Sequence, residues 1–272
     1  MGERQLDLFS GTGTPWQSQA RASVEPPALI PADLDNDALI AAIPGAGLAD
    51  AADLVTEAGR RRLVAAIAAL EHLCRRFAGF GLERVVPEQV AALEALAQIG
   101  GPAAAQSVTR LIVRSIVQGP TRKVAIGIAA QLQAPLPAET VHALLQDADP
   151  DVRADGCRCI GTWRAAIPML LDLTDDSDGH VRVAALCALG RLGWRQARPT
   201  LTRLLREAPS PEVIDAVCAI ADEDCIIVLA RIVRTRPALA DAARDALATI
   251  DHPRARQVAA ALPSPAAAAP GP

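Results

Sequence analysis

A unit of about 30 residues recurs along the chain and constrains its fold more than any other feature. The segment 149–161, DPDVRADGCRCIG, is followed by a related segment, DGHVRVAALCALG, that ends 29 residues later at Gly190. Further copies end at Ala221 and Ala248, and an earlier one ends at Gly100. Such self-similarity is typical of arrays in which each unit packs only against its neighbours. We therefore expect one elongated repeat array.

Each unit predicts two helices. The second helix follows a polar turn and carries apolar residues at helical spacing, as at Val181, Ala185 and Leu189. The first helix lies between copies, as in TLTRLLREA at 200–208. Apolar residues make up 51% of the chain but aromatic residues only 2%, which favours close helix packing over sheets. The predicted fold class is all-α.

Glycine and proline mark the expected ends and starts of these helices. Glycine tolerates the positive φ that often follows a helix, and three copies close with one: Gly100, Gly161 and Gly190. Proline is tolerated in a first helical turn, where its missing N–H costs little. We expect such a position for Pro168, Pro199 and Pro211.

The repeated motif resembles the short bacterial type of the HEAT-repeat family, D-x-x-VR-x-x-A-x-x-ALG. The copy at 178–190 matches it best, and later copies lose the Arg. The resemblance covers about residues 88–262 and implies an α-solenoid of HEAT-like helical hairpins. It also implies structural roles in capping helices or pairing repeats for the motif residues and their neighbours, namely Asp151, Arg153, Asp178 and Arg182.

The rest of the chain divides around this array, expected at 87–262. Residues 33–86 predict a helical N-terminal cap that leaves the repeat pattern. Within it, an apolar helix face is predicted from Leu63, Ile67, Leu70, Cys74 and Phe77, which step by four and three residues. Residues 1–32 predict a disordered arm, with a linker from residue 10, and 263–272 a disordered tail.

The arm carries QLDLF at residues 5–9. This segment resembles the pentapeptide with which bacterial replication and repair proteins bind the DNA polymerase sliding clamp. The resemblance implies that Gln5 bonds at a pocket rim, Leu6 enters a subsite, Asp7 faces outward, and Leu8 and Phe9 fill the main cleft. The alternative is that Leu6, Leu8 and Phe9 fold back and cover the first helix. Both remain open on the sequence.

A local basic cluster contrasts with the formal net charge of −4, which provides no global field for a polyanion. Arg61, Arg62, Arg75 and Arg76 are candidate phosphate contacts. Arg61, Arg75 and Arg76 are expected, with His72, on the side opposite the apolar stripe that begins at Leu63. The favoured alternative is a solvated helix face with local Glu partners, because charge runs usually face water.

The remaining chemistry-bearing residues assemble no site. Cys157, Cys187 and Cys218 occupy nearly the same place in successive repeats, which is typical of a small core residue. We expect no metal and no cofactor, and the His and Ser residues suggest no catalytic constellation. The absence of an apolar stretch of about 18 residues and of a signal-peptide layout predicts a cytoplasmic chain with no membrane association.

These observations favour a non-enzymatic scaffold that binds an unidentified protein on its concave face and docks on the sliding clamp, in replication or repair. One alternative is a HEAT-like accessory or chromophore-lyase-type protein that acts on a partner protein. The other is a DNA-binding HEAT-like repair protein that uses the predicted helix from Arg60 to Arg76. That proteins bind the concave face is an expectation from the fold alone.

Overall fold

Fifteen α-helices follow one another along residues 30–262, the part of the chain that the computed structural model describes, and this part contains no strand. This confirms the predicted all-α class. Short turns, several of them 3-10 in geometry, join the helices. The helices are α1 Asn36–Ala42, α2 Leu48–Arg60, α3 Ile67–Arg76, α4 Pro87–Ile99, α5 Gly101–Val113, α6 Gly119–Gln131, α7 Ala138–Leu145, α8 Pro150–Arg158, α9 Ile167–Leu173, α10 Gly179–Arg191, α11 Arg198–Glu207, α12 Pro211–Val217, α13 Glu223–Thr235, α14 Ala240–Thr249 and α15 Pro253–Ala261.

Successive helices pack as hairpins, from α1–α2 to α13–α14, and α15 packs against the last hairpin. The even-numbered helices from α2 to α14 form one row, in which each contacts the next even-numbered helix. The odd-numbered helices form a second row, whose extensive contacts are limited to α3 with α5 and to α11, α13 and α15. Two stacked rows of antiparallel hairpins are the architecture of an α-solenoid.

The even row lies on the inner side of the solenoid's bend. Its helices approach each other closely along the whole row, whereas those of the odd row separate in the middle of the array. The Arg158 guanidinium at the end of α8 also reaches Glu212 in α12, past the intervening α10, with Nε 3.3 Å from Oε1. Side chains two helices apart meet in this way only where the row curves towards them. The even row therefore forms the concave face.

Small residues make the close approach of the inner helices possible. Ala92, Ala129 and Ala185 are completely buried in this row. A Cβ atom added at Gly59 would lie 2.9 Å from the Ala95 Cα, and one at Gly190 would lie 2.7 Å from Leu201 Cδ1. Native Cβ atoms do not approach other atoms this closely, so the packing distances here require glycine.

Of the three predicted helix-closing glycines, Gly100 is confirmed, since it directly follows α4 and has a φ of 68°. Gly161 also has a positive φ, 57°, but it lies three residues after α8 ends at Arg158 and does not close that helix. The prediction for Gly190 was wrong: α10 continues to Arg191, and Gly193, with a φ of 77°, takes the left-handed position. The motif glycine is conformationally helical and serves helix packing instead.

The structural roles predicted for Arg153, Asp178 and Arg182 are confirmed, but in the copy at 149–161 the capping carboxylate is Asp149 and not Asp151, whose side chain forms no hydrogen bond or ion pair within residues 30–262. The side chains of Asp149 and Asp178 accept hydrogen bonds from the first backbone N–H groups of α8 and α10. Arg153 donates from Nε and Nη2 to the two carboxylate oxygens of Asp176, at 2.9 and 3.0 Å. Arg182 donates to the carbonyl oxygens of residues 176 and 177. The predicted positions of Pro168, Pro199 and Pro211 in first helical turns are also confirmed.

The apolar face predicted from Leu63 to Phe77 does not belong to one helix. Helix α2 ends at Arg60, and α3 begins only at Ile67, after a 3-10 turn over Val64–Ala66. Arg62 has a φ of 51°, and the bonds from its N–H to Gly59 and from Leu63 to Ala58 form a Schellman motif. Periodicity does not reveal this helix end because Arg, and not Gly, occupies the left-handed position.

Candidate functional site

Charged side chains from three consecutive inner helices meet on the concave face. Arg158 at the end of α8 lies between Asp155, whose Oδ1 is 3.0 Å from Nη1, and Glu212 at the start of α12. Arg191 at the end of α10 donates from Nη2 to the Cys157 carbonyl oxygen, at 3.2 Å. We call Asp155, Arg158, Arg191 and Glu212 the concave cluster.

The concave cluster is partly withdrawn from water, and this controls its charges. Burial raises the pKa of Asp155, although Arg158 opposes the shift. Burial also acts against the charge on Arg158, but Glu212 and Asp155 outweigh it and raise the pKa of the guanidinium. Arg158 therefore stays charged, and Asp155 takes up a proton more readily than an exposed aspartate.

Two atoms of the cluster have unused hydrogen-bonding capacity. Arg191 Nη1 and Glu212 Oε1 are buried and form no hydrogen bond with any residue in 30–262. Glu212 Oε1 lies 3.3 Å from Arg158 Nε in the ion pair, but the hydrogen bond from Arg158 Nε goes to the other carboxylate oxygen, Oε2. A groove of about 260 Å³ lies beside Glu212 and is lined in part by Gln131, Gln133, Arg158 and Glu212. Buried polar atoms without partners are costly, so a ligand in this groove that donated a hydrogen bond to Glu212 Oε1 would be favoured. The arrangement suits recognition of polar groups and offers no nucleophile.

The concave cluster was not among the residues predicted from the sequence. Arg158 aligns with Cys187 of the next copy. A charged residue at a position that is a core position in the next copy is a sequence signal for such a cluster. Its partner Glu212 lies 54 residues away, in a degenerate copy. No spacing rule joins them, because the contact depends on the curvature of the solenoid.

Gln5, Leu6, Asp7, Leu8 and Phe9 lie outside the described residues, so the structure places neither the clamp-type peptide nor its fold-back alternative.

Arg61, one of the four candidate phosphate contacts, is held by the fold. Its Nε donates to Glu57 Oε1 at 2.6 Å. Its Nη1 and Nη2 donate to the carbonyl oxygens of Leu34, Pro31 and Ala32, at 2.7, 3.1 and 3.0 Å. Its side chain is only 18% exposed. This guanidinium fastens the start of the described chain to the end of α2, which leaves little capacity for a phosphate.

The other candidate arginines lie in separate settings. Arg75 pairs with the buried Glu71 at 2.7 Å, and Arg76 donates to the carbonyl oxygens of residues 44 and 46. Burial disfavours the charged form of Glu71, but Arg110 on α5 outweighs it and keeps the pKa of Glu71 below its ordinary value. Arg62 is exposed and forms no ion pair within residues 30–262. Since a turn separates Arg61 from α3, Arg61 does not share with Arg75 and Arg76 the single helix face that was expected.

The cysteines lie in the repeat core, as their periodic placement indicated. Cys157 and Cys187 are completely buried, and burial raises the pKa of each thiol to about 12. Cys218 is half-buried, and its pKa is also raised by burial. Within residues 30–262, no three His, Cys, Asp or Glu side chains are arranged to hold a metal ion. None of the helices described is long and apolar enough to cross a membrane.

An exposed apolar surface lies on the loop between α3 and α4. Phe80, Leu82 and Val85 are exposed there, the first two by about two thirds. The loop is nevertheless firmly held, because the Val86 N–H donates to the buried Thr121 hydroxyl at 3.0 Å. Exposed apolar residues that lie together on one loop form a candidate interaction surface.

Comparison with known protein families gives a match in the centre of the array. Residues 137–221 match a family model described as HEAT repeats. The matched segment contains the three hairpins from α7 to α12, and with them the whole concave cluster. No curated protein matches the chain. The match supports the HEAT-repeat resemblance over this segment, and the stacked hairpins on either side continue the same two-row architecture.

Proposed function

We propose that this chain is a non-enzymatic protein-interaction scaffold, which binds a segment of a partner protein on its concave face and docks on the DNA polymerase sliding clamp through residues 5–9. The observation that carries the scaffold proposal is the concave cluster, in which Glu212 keeps a buried oxygen without a hydrogen bond beside a groove. A peptide offers backbone N–H donors to this oxygen.

The dimensions of the groove favour a peptide over a small molecule. At about 260 Å³ it is smaller than the roughly 300 Å³ at which ligand pockets usually begin. It also lies open on the inner surface of a long row of helices, which can contact an extended partner at several points.

The clamp tether rests on the match of Gln5 to Phe9 with the clamp-binding pentapeptide. The folded unit is suited to hold such an arm, because Arg61 fixes the carbonyl oxygens of Pro31, Ala32 and Leu34 to α2. A force on the arm would therefore be transmitted to the solenoid. A short peptide has few anchors, so we expect a dissociation constant in the micromolar range for a single site. Several sites on a ring-shaped clamp would strengthen it.

Binding of the full chain to the sliding clamp of the same source tests the tether. We expect micromolar binding by calorimetry, abolished by the double substitution Leu8→Ala and Phe9→Ala. The matched control, Val24→Ala with Leu29→Ala, removes apolar groups from the same arm outside the pentapeptide and should bind normally. Glu212→Gln should also bind normally, since the concave face is a separate site.

Absence of binding by the wild-type chain, or equal loss in the Val24/Leu29 control, would remove the clamp from the proposal and leave the scaffold.

No observation on residues 30–262 specifically favours the lyase-type alternative. The DNA-binding alternative is weakened by the engagement of Arg61 within the fold.

A further inference from the structure

Helix α13 presents a basic and apolar surface on the outer row, near the end of the array. A groove of about 410 Å³ lies on its α11 side, and another of about 320 Å³ lies on its α15 side. Ile227, Arg231 and Thr235 line both grooves, so they form the ridge between them. We call this ridge with its two grooves the α13 surface.

The charge of the α13 surface is opposite to that of the whole chain. Its lining contains one acidic residue, Asp224, which lies 3.7 Å from Arg206. Its lining contains five arginines: Arg206, Arg231, Arg234, Arg236 and Arg254. The last four form no ion pair with any residue that the structure describes. A chain with a formal net charge of −4 therefore gathers uncompensated positive charge here.

Local helix electrostatics do not explain all of this charge. Arg231 and Arg234 lie towards the C-terminal end of α13, where the helix dipole favours a cation. Arg254 is the second residue of α15, where the dipole disfavours one. An arginine at a position where the helix dipole disfavours a cation does not stabilise the fold there, which indicates a role in binding.

The α13 surface is also apolar. Ile227, on the ridge, is 56% exposed. Leu205 and Ile232 are among the residues that line the α11-side groove, and Val258 and Ala261 are among those that line the α15-side groove. Phosphates would pair with the arginines but would leave Ile227 uncovered, and no aromatic side chain lines either groove for base stacking.

We infer that the α13 surface binds an acidic protein segment with apolar residues, whose carboxylates meet the arginines and whose apolar side chains cover Ile227 and enter the grooves. Arginine pairs well with carboxylates because its planar donors match their two oxygens. The inference rests on the proposed scaffold function and gives it a second partner site, on the face opposite the concave cluster.

Fluorescence anisotropy with the full-length chain tests this inference. The probe is a labelled peptide that combines Glu and Leu at helical spacing, and the comparison probes are an all-Glu peptide of equal charge and a 20-nucleotide single-stranded DNA. We expect the Glu/Leu peptide to bind most tightly, and more weakly as salt rises. Arg231→Gln with Arg234→Gln, and separately Ile227→Gln, should each weaken binding about tenfold.

The charge-matched control is Arg195→Gln with Arg203→Gln, which changes two exposed arginines outside both grooves and should alter binding less than twofold. Thermal unfolding by circular dichroism checks that every variant is folded. The inference is overturned if the Glu/Leu peptide does not bind, or if the control variant loses as much affinity for it. It is also overturned if the DNA binds more tightly than the peptide and this DNA binding is lost in the Arg231/Arg234 variant.

The clamp peptide variant separates this inference from the tether. Leu8→Ala with Phe9→Ala should leave binding of the Glu/Leu peptide unchanged. If that variant instead binds the probe more tightly, the chain's own arm occupies the α13 surface, and the inference of a separate acidic partner is wrong.

Discussion

At the residue scale, the close packing of the inner helices depends on single glycines, which have no side chain. Gly190 lies within α10, where an added Cβ would meet Leu201 Cδ1 at 2.7 Å and the Ala216 carbonyl oxygen closer still. The leucine methyl could move, but a backbone carbonyl in the adjoining helix cannot move without shifting that helix. Gly179, at the start of the same helix, has only Arg182 Nη2 near its absent Cβ, at 3.6 Å.

We predict that Gly190→Ala lowers the free energy of unfolding by about 1–3 kcal/mol, because overpacking against α12 outweighs the gain in helix propensity. Gly179→Ala is the control within the same helix and should leave stability unchanged or slightly raised. Urea denaturation followed by circular dichroism measures both. Equal stability of the two variants would show that the inner helices separate easily.

At the element scale, α2 holds the beginning of the described chain through one side chain. Arg61 joins the end of this helix to the turn and loop before α1, by way of Pro31, Ala32 and Leu34. Arg62, its neighbour in sequence, is exposed. The two residues have the same chemistry and opposite environments, which makes them a matched pair.

We predict that Arg61→Ala costs about 1–3 kcal/mol, because several carbonyl oxygens lose their donor together. Arg62→Ala should change stability by no more than about 0.5 kcal/mol. Hydrogen exchange should show faster exchange confined to residues 31–42 and the end of α2 in the Arg61 variant. A loss spread evenly over the array would contradict this local role.

The elements also show how far the sequence predicts this fold. Apolar periodicity and motif aspartates indicated the hairpins, because each copy carries its own cap and stripe, as at Asp178 and Val181. The end of α2 was missed because an Arg at position 62 adopts the left-handed conformation. The concave cluster was missed because Arg158 and Glu212 meet only through the curvature of the inner row. Local signals predict elements, whereas contacts between distant repeats depend on packing geometry.

At the scale of the whole molecule, ion pairs link one repeat to the next. Arg153 on α8 pairs with Asp176 before α10, and Arg198 on α11 pairs with Asp222 before α13. Arg110 on α5 pairs with Glu71 on α3. Each repeat of a solenoid packs mainly against its neighbours, so such links bear directly on whether the array unfolds as one unit.

Ion pairs within and between repeats should make the array sensitive to acid. Arg60 and Arg61 lower the pKa of Glu57 from 4.5 to about 2, and Arg153 lowers that of Asp176. A carboxylate with a lowered pKa stabilises the fold fully above its unfolded-state pKa, and this contribution is lost as the pH falls through the folded-state pKa. Asp155 acts in the opposite direction, since burial raises its pKa and its protonated form favours the fold.

We therefore predict that the urea midpoint of unfolding is constant near neutral pH and falls as the pH drops from about 4.5 to 2. The reason is that the carboxylates whose pKa is lowered outnumber the one whose pKa is raised. Glu57→Gln should begin with a lower midpoint at neutral pH and show a shallower fall, since its charge is already absent. Asp37→Gln, an exposed carboxylate on α1 outside any ion pair in residues 30–262, is the control and should keep the wild-type slope. A parallel fall in all three proteins would assign the acid response to net charge. A shallower fall in the Glu57 variant alone would assign it to the guanidinium contacts that close the first hairpin.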